Sequence, residues 1–230
     1  MCGIVGVWQP HGGNIDRELL DRFTDSLAHR GPDGRGTIID NEAGIGLGHR
    51  RLAILDVSSS GQQPMTYGNG RYWIVFNGEI YNFLELRTEL ESLGHQFHTD
   101  SDTEVVLASY VQWGQDCQLK FNGMWAFAIF DSEQGSLFLS RDRFAEKPLY
   151  YIDDANEFYF GSEIKFLKGL IGRRLKVNHR HLLRHLVHGY KALYKTDETY
   201  FEEVRELKYA QSLTLTPAGV GHPHRYWTPT

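Results

Sequence analysis

Only two cysteines, Cys2 and Cys117, occur in 230 residues, which excludes a disulfide framework of the kind that staples small secreted domains. No apolar run approaches the roughly 18 residues that a membrane-spanning helix needs. The N-terminus also lacks the charged-then-apolar order of a secretory signal. Excess positive charge is missing too: 24 Lys and Arg stand against 29 Asp and Glu, a net charge of -5, and no basic run is longer than two residues. Without a basic stripe interleaved with aromatics, neither nucleic acid nor a membrane is an expected partner. No repeat, low-complexity segment or linker divides the chain. These absences lead us to expect a cytoplasmic globular protein, for which 41% apolar and 23% charged residues are ordinary.

What is present begins at the second position. Removing Met1 would leave a thiol and a free α-amine on the same residue, Cys2. An unperturbed α-amine titrates at about 7.7–8.0 and a thiol at about 8.5, so near neutrality the amine can take the thiol's proton. Cys2 would then be nucleophile and base together. The plainer alternative is that it starts a strand, because Gly-Ile-Val-Gly-Val-Trp follows as a buried β-segment. Cys117 reads as a small buried apolar residue.

Apolar spacing predicts an amphipathic helix over residues 16–29, with Leu19, Leu20, Phe23 and Leu27 on one face. A second helix opens at Asn82, with Glu85 placed for a capping box and Gly94 to close it. A third opens at Ser101, with Glu104 in the same relation, and ends near Gly114. Strands are expected at 72–76, 124–131, 136–141, 149–152, 157–160, 212–216 and 222–227. Ser132-Glu133-Gln134-Gly135 and Asp153-Asp154-Ala155-Asn156 would turn antiparallel hairpins. The pattern is that of one α+β domain, a mainly antiparallel sheet with helices on its faces, and a less regular extension beyond about residue 170.

Four segments carry candidate chemistry, and each has a plain structural reading beside it. His29-Arg30-Gly31-Pro32-Asp33 ends the first helix, with Gly at the cap and Pro to stop propagation. Asn77-Gly78 is a strong type I′ hairpin signal. Such a turn would also present the Asn77 amide and the Gly78 N–H side by side to a developing oxyanion, where losing one donor costs about 2.7–4 kcal/mol. Asp102 stands at a helix start, where the dipole favours a carboxylate, and an exposed carboxylate there could hold an α-ammonium. Arg51, in His49-Arg50-Arg51-Leu52-Ala53-Ile54-Leu55-Asp56, is either a solvated charge at a strand edge or a planar fork suited to an α-carboxylate. Together these supply a nucleophile with its own base, an oxyanion hole and one group of each sign for an amino acid. His181, His185 and His188 share a helical stripe, but no clear carboxylate or cysteine accompanies them, so a solvated or packed basic helix is expected there and no metal site.

The order and wording of these motifs resemble a known family. Cys2-Gly3-Ile4-Val5-Gly6, the 29–33 and 49–56 segments, Asn77-Gly78-Glu79-Ile80-Tyr81-Asn82, Ser101-Asp102 and Arg141-Asp142-Arg143 are similar to the N-terminal glutaminase domain of glutamine-hydrolysing asparagine synthetases. Lys147-Pro148-Leu149-Tyr150-Tyr151 and Ser162-Glu163-Ile164-Lys165 continue the match, which is clear over residues 2–168 and weaker over 169–230. Other class II glutamine amidotransferases share the N-terminal cysteine, but Pro32-Asp33 and the hexamer at 77–82 look like this group. The resemblance implies an N-terminal-nucleophile hydrolase fold, a four-layer αββα sandwich with two stacked, mainly antiparallel sheets. It implies that mature Cys2 attacks the side-chain amide of glutamine while Asn77 and Gly78 stabilise the tetrahedral intermediate. Ammonia would leave, and water would release glutamate from a γ-glutamyl thioester. Arg51 and Asp102 are the implied anchors for the substrate's carboxylate and ammonium. Leu52, Ala53, Ile54, Leu55 and Glu79 complete the implied pocket, and the 29–33 segment resembles a loop that closes over glutamine.

No cofactor is implied for that step. Full-length relatives use ATP and magnesium in a second domain that amidates an acceptor, aspartate in asparagine synthesis and a sugar acid or peptide elsewhere. That domain's Ser-Gly-Gly-x-Asp-Ser loop is not matched here, since Ser58-Ser59-Ser60-Gly61 lacks the second glycine and the acid. Residues 1–230 are therefore expected to be a glutaminase domain that partners an ammonia-accepting synthetase domain or subunit, with a homodimer as a possible assembly. The rival is a catalytically silent copy serving assembly or regulation, against which the intact Cys2, Asn77, Gly78, Arg51 and Asp102 argue. Two departures stand out: Ala145 where the family usually has Gly, and Lys208-Tyr209-Ala210-Gln211 where it usually has Pro-Pro-Gly. If position 145 uses positive φ, alanine costs roughly 1 kcal/mol there.

Overall fold

Strand formation starts one residue after Cys2. The computed structural model describes residues 1–56, 58–154, 156–192 and 196–229, without the side chains of 166, 191 and 192. In chain order its main elements are β1 (Gly3–Trp8), α1 (Arg17–Ser26), β2 (Gly34–Asp40), β3 (Ile45–Arg51), β4 (Met65–Tyr67), β5 (Tyr72–Ile80), α2 (Phe83–Ser92), α3 (Asp102–Trp113), α4 (Cys117–Lys120), β6 (Gly123–Asp131) and β7 (Ser136–Arg141). β8 (Tyr150–Asp154), β9 (Glu157–Gly161), α5 (Ile164–Leu170), α6 (His179–His188), β10 (Arg205–Glu206), β11 (Gln211–Thr216), β12 (Gly219–Val220) and β13 (His224–Arg225) follow.

Two antiparallel sheets result. One runs β10-β8-β9-β1-β3-β2, the other β12-β11-β7-β6-β5-β4 with β13 beside β11. Period-two alternation decides which side chains meet where. From β1, Ile4 and Trp8 point into the space between the sheets, where they meet Val75 of β5 and Ala126, Ala128 and Phe130 of β6. Val5 and Val7 point the other way, onto Leu20 of α1 and Leu167 of α5. Trp125, Phe127 and Ile129 of β6 likewise face outward onto Val105, Val106 and Leu107 of α3 and Leu86 and Leu90 of α2. The order is helix, sheet, sheet, helix, the four-layer αββα sandwich that the resemblance implies. Each large side chain buried in these layers contributes roughly 1.5–3 kcal/mol. Because both faces of each sheet are covered, β1 and β6 read as continuous apolar runs rather than alternating ones.

Several local expectations are corrected. Asn77-Gly78 does not turn a hairpin: β5 runs straight through it, with Asn77 opposite Ala126 and Gly78 opposite Trp125. Gly31 is no left-handed helix cap, being absent from the positive-φ residues. A Cβ on it would stand 2.3 Å from the Arg50 carbonyl carbon, so the glycine lets the chain pass against β3. Neither capping box forms. Asn82 spends its side chain on Lys120 O and Asn122 N. Glu104 accepts from the backbone N–H groups of His98 and Thr99, not from Ser101. The first helix stops at Ser26 rather than 29, and the strand expected at 222–227 shrinks to His224–Arg225. β2 and β3 had no strand signal of their own. The Ser132–Gly135 segment does join β6 to β7, with Gly135 at φ 59°. Ala155, in the other expected turn, lies outside the described residues. Beyond residue 170 the chain adds β10 to one sheet and β11 to the other.

Candidate active site

β1 places Cys2 at its head, and three elements hold it there. Arg30 Nε donates to the Cys2 carbonyl at 2.9 Å, and its Nη1 reaches Glu163 at 3.1 Å. Ser162 Oγ, on the same segment as Glu163, accepts the Ile4 N–H at 3.0 Å. Leu52 N–H donates to Cys2 Sγ at 3.4 Å. Burial pushes the thiol's pKa up, while that N–H, the chain's terminal amine and the nearby Arg51 charge pull against it. The sulfur is therefore held as a thiol that needs a base to act as a nucleophile. In this chain the amine belongs to Met1, which lines the cavity beside Cys2.

That cavity, of about 200 Å³, lies where the ends of β1 and β3 face β5 and the first turn of α3. Its far wall follows from strand geometry. β4 pairs with β5 only as far as Ile74, so from there on β5 has an open edge. In an antiparallel strand, alternate residues turn their N–H and C=O to the same edge. Phe76, Gly78 and Ile80 are those residues here. Phe76 N–H donates to Gln63 Oε1 at 2.6 Å, and Ile80 N–H donates to Asp102 Oδ2 at 3.0 Å. Between these two capped donors the Gly78 N–H faces the cavity. A Cβ at this position would stand 2.4 Å from Met124 O, so only glycine fits. The neighbouring Asn77 Nδ2 is buried with no hydrogen-bond partner among the described residues. An unpaired buried amide is costly unless something outside the chain satisfies it.

The charged candidates differ from their expected settings. Arg51 is no solvated charge: it is buried, and its fork donates to the carbonyls of Leu55, Asp56 and Ser58 while still lining the cavity. Asp102 is buried, not exposed. Desolvation pushes its pKa up from 3.8 to about 6, with the Glu79 charge adding to the rise and the Ile80 and Thr103 N–H groups opposing it. Leu52, Ile54, Leu55 and Glu79 line the cavity; Ala53 instead gives its N–H to Asp33 Oδ2 at 2.9 Å, tying the 29–33 segment to this loop. Sequence reasoning missed Gln63, Met124 and Lys147, which also line it, and His49 behind it. His181 and His185 of α6 lie elsewhere, packed edge-on against Tyr200.

Stacked antiparallel sheets between helices, with a cysteine at the head of a central strand, give this chain the N-terminal-nucleophile hydrolase fold. Comparison with known proteins agrees. Residues 1–227 match the glutamine amidotransferase domain model, and the chain belongs to that family. It is 38% identical to asparagine synthetase [glutamine-hydrolyzing] 3 of Bacillus subtilis over 99% of this chain and 36% of that protein. It is 46% identical to asparagine synthetase [glutamine-hydrolyzing] 1 of the same organism over 73% of this chain and 26% of that protein. A putative asparagine synthetase of Methanocaldococcus jannaschii is 45% identical over 72% of this chain and 34% of its own length. The chain thus spans between about a quarter and just over a third of these curated relatives. Among solved structures, the glutamine phosphoribosylpyrophosphate amidotransferase of B. subtilis superposes with a TM-score of 0.71 at 20% identity, over 99% of this chain and 50% of that one, which supports the fold. Among the described residues no helix is long and apolar enough to cross a membrane.

Proposed function

We propose that this chain, once Met1 is removed, hydrolyses glutamine to glutamate and ammonia at Cys2. The observation that carries the reading is the unpartnered Asn77 amide beside the uncapped Gly78 N–H, facing the same cavity as the thiol. The freed α-amine takes the thiol proton, and the thiolate attacks the side-chain amide carbon. The two donors hold the resulting oxyanion. The α-ammonium returns its proton to the leaving nitrogen, ammonia departs, and a γ-glutamyl thioester remains. Water, deprotonated by the amine, adds to the thioester; collapse releases glutamate and restores the thiol. Arg51 supplies positive charge to the substrate's α-carboxylate, and Asp102 with Glu79 receives its α-ammonium. Leu52 to Leu55 form the adjoining wall.

Thiol, amine and water balance this reaction without a cofactor. We read residues 1–230 as the glutaminase domain. An ATP- and magnesium-dependent synthetase domain or subunit takes the ammonia to aspartate or a related acceptor, and the protein works in the cytoplasm. The names of the relatives and the partial span of each support that division. Glutamate release from glutamine, with asparagine as the competing amide and Cys2→Ala as control, tests the reading. Cys2-dependent turnover of glutamine alone is expected; equal turnover of both amides overturns the assigned anchors, and none overturns the activity.

A further inference from the structure

Nucleophile and oxyanion donors sit in different sheets, Cys2 at the head of β1 and Asn77-Gly78 in β5. Something must set the gap between them, because a displacement of about 1 Å at a reacting centre costs on the order of 100-fold in rate. Two side chains outside the mechanism grip Phe76, the residue that precedes the donors, at the peptide groups on either side of it. Gln63 Oε1 accepts the Phe76 N–H at 2.6 Å, and His49 Nε2 meets the Phe76 carbonyl at 3.1 Å. The carbonyl can only accept, so Nε2 carries the proton. Both residues are buried, His49 completely.

Each side chain also reaches a second wall of the site. His49 lies in β3 directly opposite Ile4 of β1, two residues from Cys2. A path of fixed contacts therefore runs from the nucleophile's strand through His49 to the peptide next to Asn77. Gln63 Nε2 donates to Thr103 Oγ1 at 3.2 Å, joining β5 to the turn of α3 that carries Asp102. Burial drives the imidazole's pKa down to about 3, so the ring stays neutral and keeps its single donor.

The geometry points to His49 and Gln63 as a pair of positioning residues that fix the oxyanion donors of β5, one against the strand of Cys2 and the other against the helix turn of Asp102. The inference rests on the glutaminase reading and adds to it two residues whose hydrogen bonds go to Phe76 and Thr103, acting on the donors through the protein. Donors aimed by this pair act on charge that exists only in the transition state, so their misplacement slows turnover without weakening ground-state binding.

The test uses the Met1-free chain with His49→Phe, His49→Gln and Gln63→Met. For each, kcat and KM for glutamine, the melting temperature and the rate of Cys2 alkylation by iodoacetamide are measured. Alkylation by displacement at a primary carbon builds no oxyanion, so it reports the thiol alone. His49→Phe and Gln63→Met are expected to lower kcat on the order of 10- to 100-fold, with KM within about threefold and alkylation within about twofold of the parent. His49→Gln, whose amide N–H stands near the place of Nε2–H, is expected to recover most of kcat. If His49→Phe fails to fold, Gln63→Met and His49→Gln still decide the matter. Full kcat in the folded variants overturns the inference, as does a fall in alkylation parallel to the fall in turnover, or a His49→Gln as slow as Gln63→Met. Absence of Cys2-dependent glutamate release from the parent chain overturns the glutaminase reading, and this inference with it.

Discussion

Replacing Asp102 by asparagine should make the substrate-free protein more stable above pH 6 while removing its grip on glutamine. Asp102 is buried, and its pKa rises from 3.8 to about 6 in the folded chain. A raised carboxyl pKa contributes its full share of stability below pH 3.8, and that share is lost as pH climbs through 6, because folding then burdens an ionised group with burial. A rise of this size corresponds to about 3 kcal/mol forfeited at pH 8, roughly half of it above pH 5. For a chain of this length that is about 6–12 °C in melting temperature. Asparagine keeps an oxygen for the Ile80 N–H and carries no charge to desolvate. Melting curves at pH 5, 6, 7 and 8 in a Cys2→Ala background should show the Asp102→Asn variant above its parent, with the gap widening up to about pH 7 and level thereafter. Saturating glutamine should close the gap at pH 8, since the substrate's ammonium compensates only the carboxylate. A variant that melts at or below its parent at pH 8, or a gap independent of pH, would refute the reasoning.

Asn77→Ala should cost on the order of 10²- to 10³-fold in kcat with KM nearly unchanged in steady-state assays, because the lost donor acts on the oxyanion. It should leave the melting temperature close to the parent's, since the amide it removes has no partner among the described residues. Gly78→Ala should abolish turnover, as its Cβ would stand 2.4 Å from the Met124 carbonyl oxygen in a paired strand. Ala145 and Ala210 have φ of 56° and 51°, the left-handed region that strains alanine. Ala145→Gly and Ala210→Gly should each stabilise by about 1 kcal/mol in denaturant titrations.

The parts of the site that depend on residue identity were legible in the sequence, and the parts that depend on strand edges were not. Cys2, Asn77, Gly78, Arg51 and Asp102 can be picked out because thiol, amide, guanidinium and carboxylate each carry their chemistry with them. Asn77-Gly78 misleads about structure: its local turn preference is overridden by β6, which offers a partner for the whole length of β5. β2 and β3 hide behind glycines that dilute any alternation. A Cβ on Gly48 would stand 2.1 Å from Thr24 Oγ1, so α1 can lie on the sheet only where side chains are missing. The capping boxes fail because Asn82 and Glu104 find backbone partners brought in by tertiary packing. His49 and Gln63 could not be found at all from spacing, because their roles exist only once β4 ends early and leaves the edge of Phe76 opposite β6 without a strand.

Intact-mass analysis of the purified, Met1-free chain after exposure to an electrophilic glutamine analogue, with Cys2→Ala alongside, tests the central claim most directly. One adduct per chain, lost in Cys2→Ala and suppressed by glutamine, is the expected result. A Met1-free chain that stays unmodified, or an adduct that persists without Cys2, would contradict it.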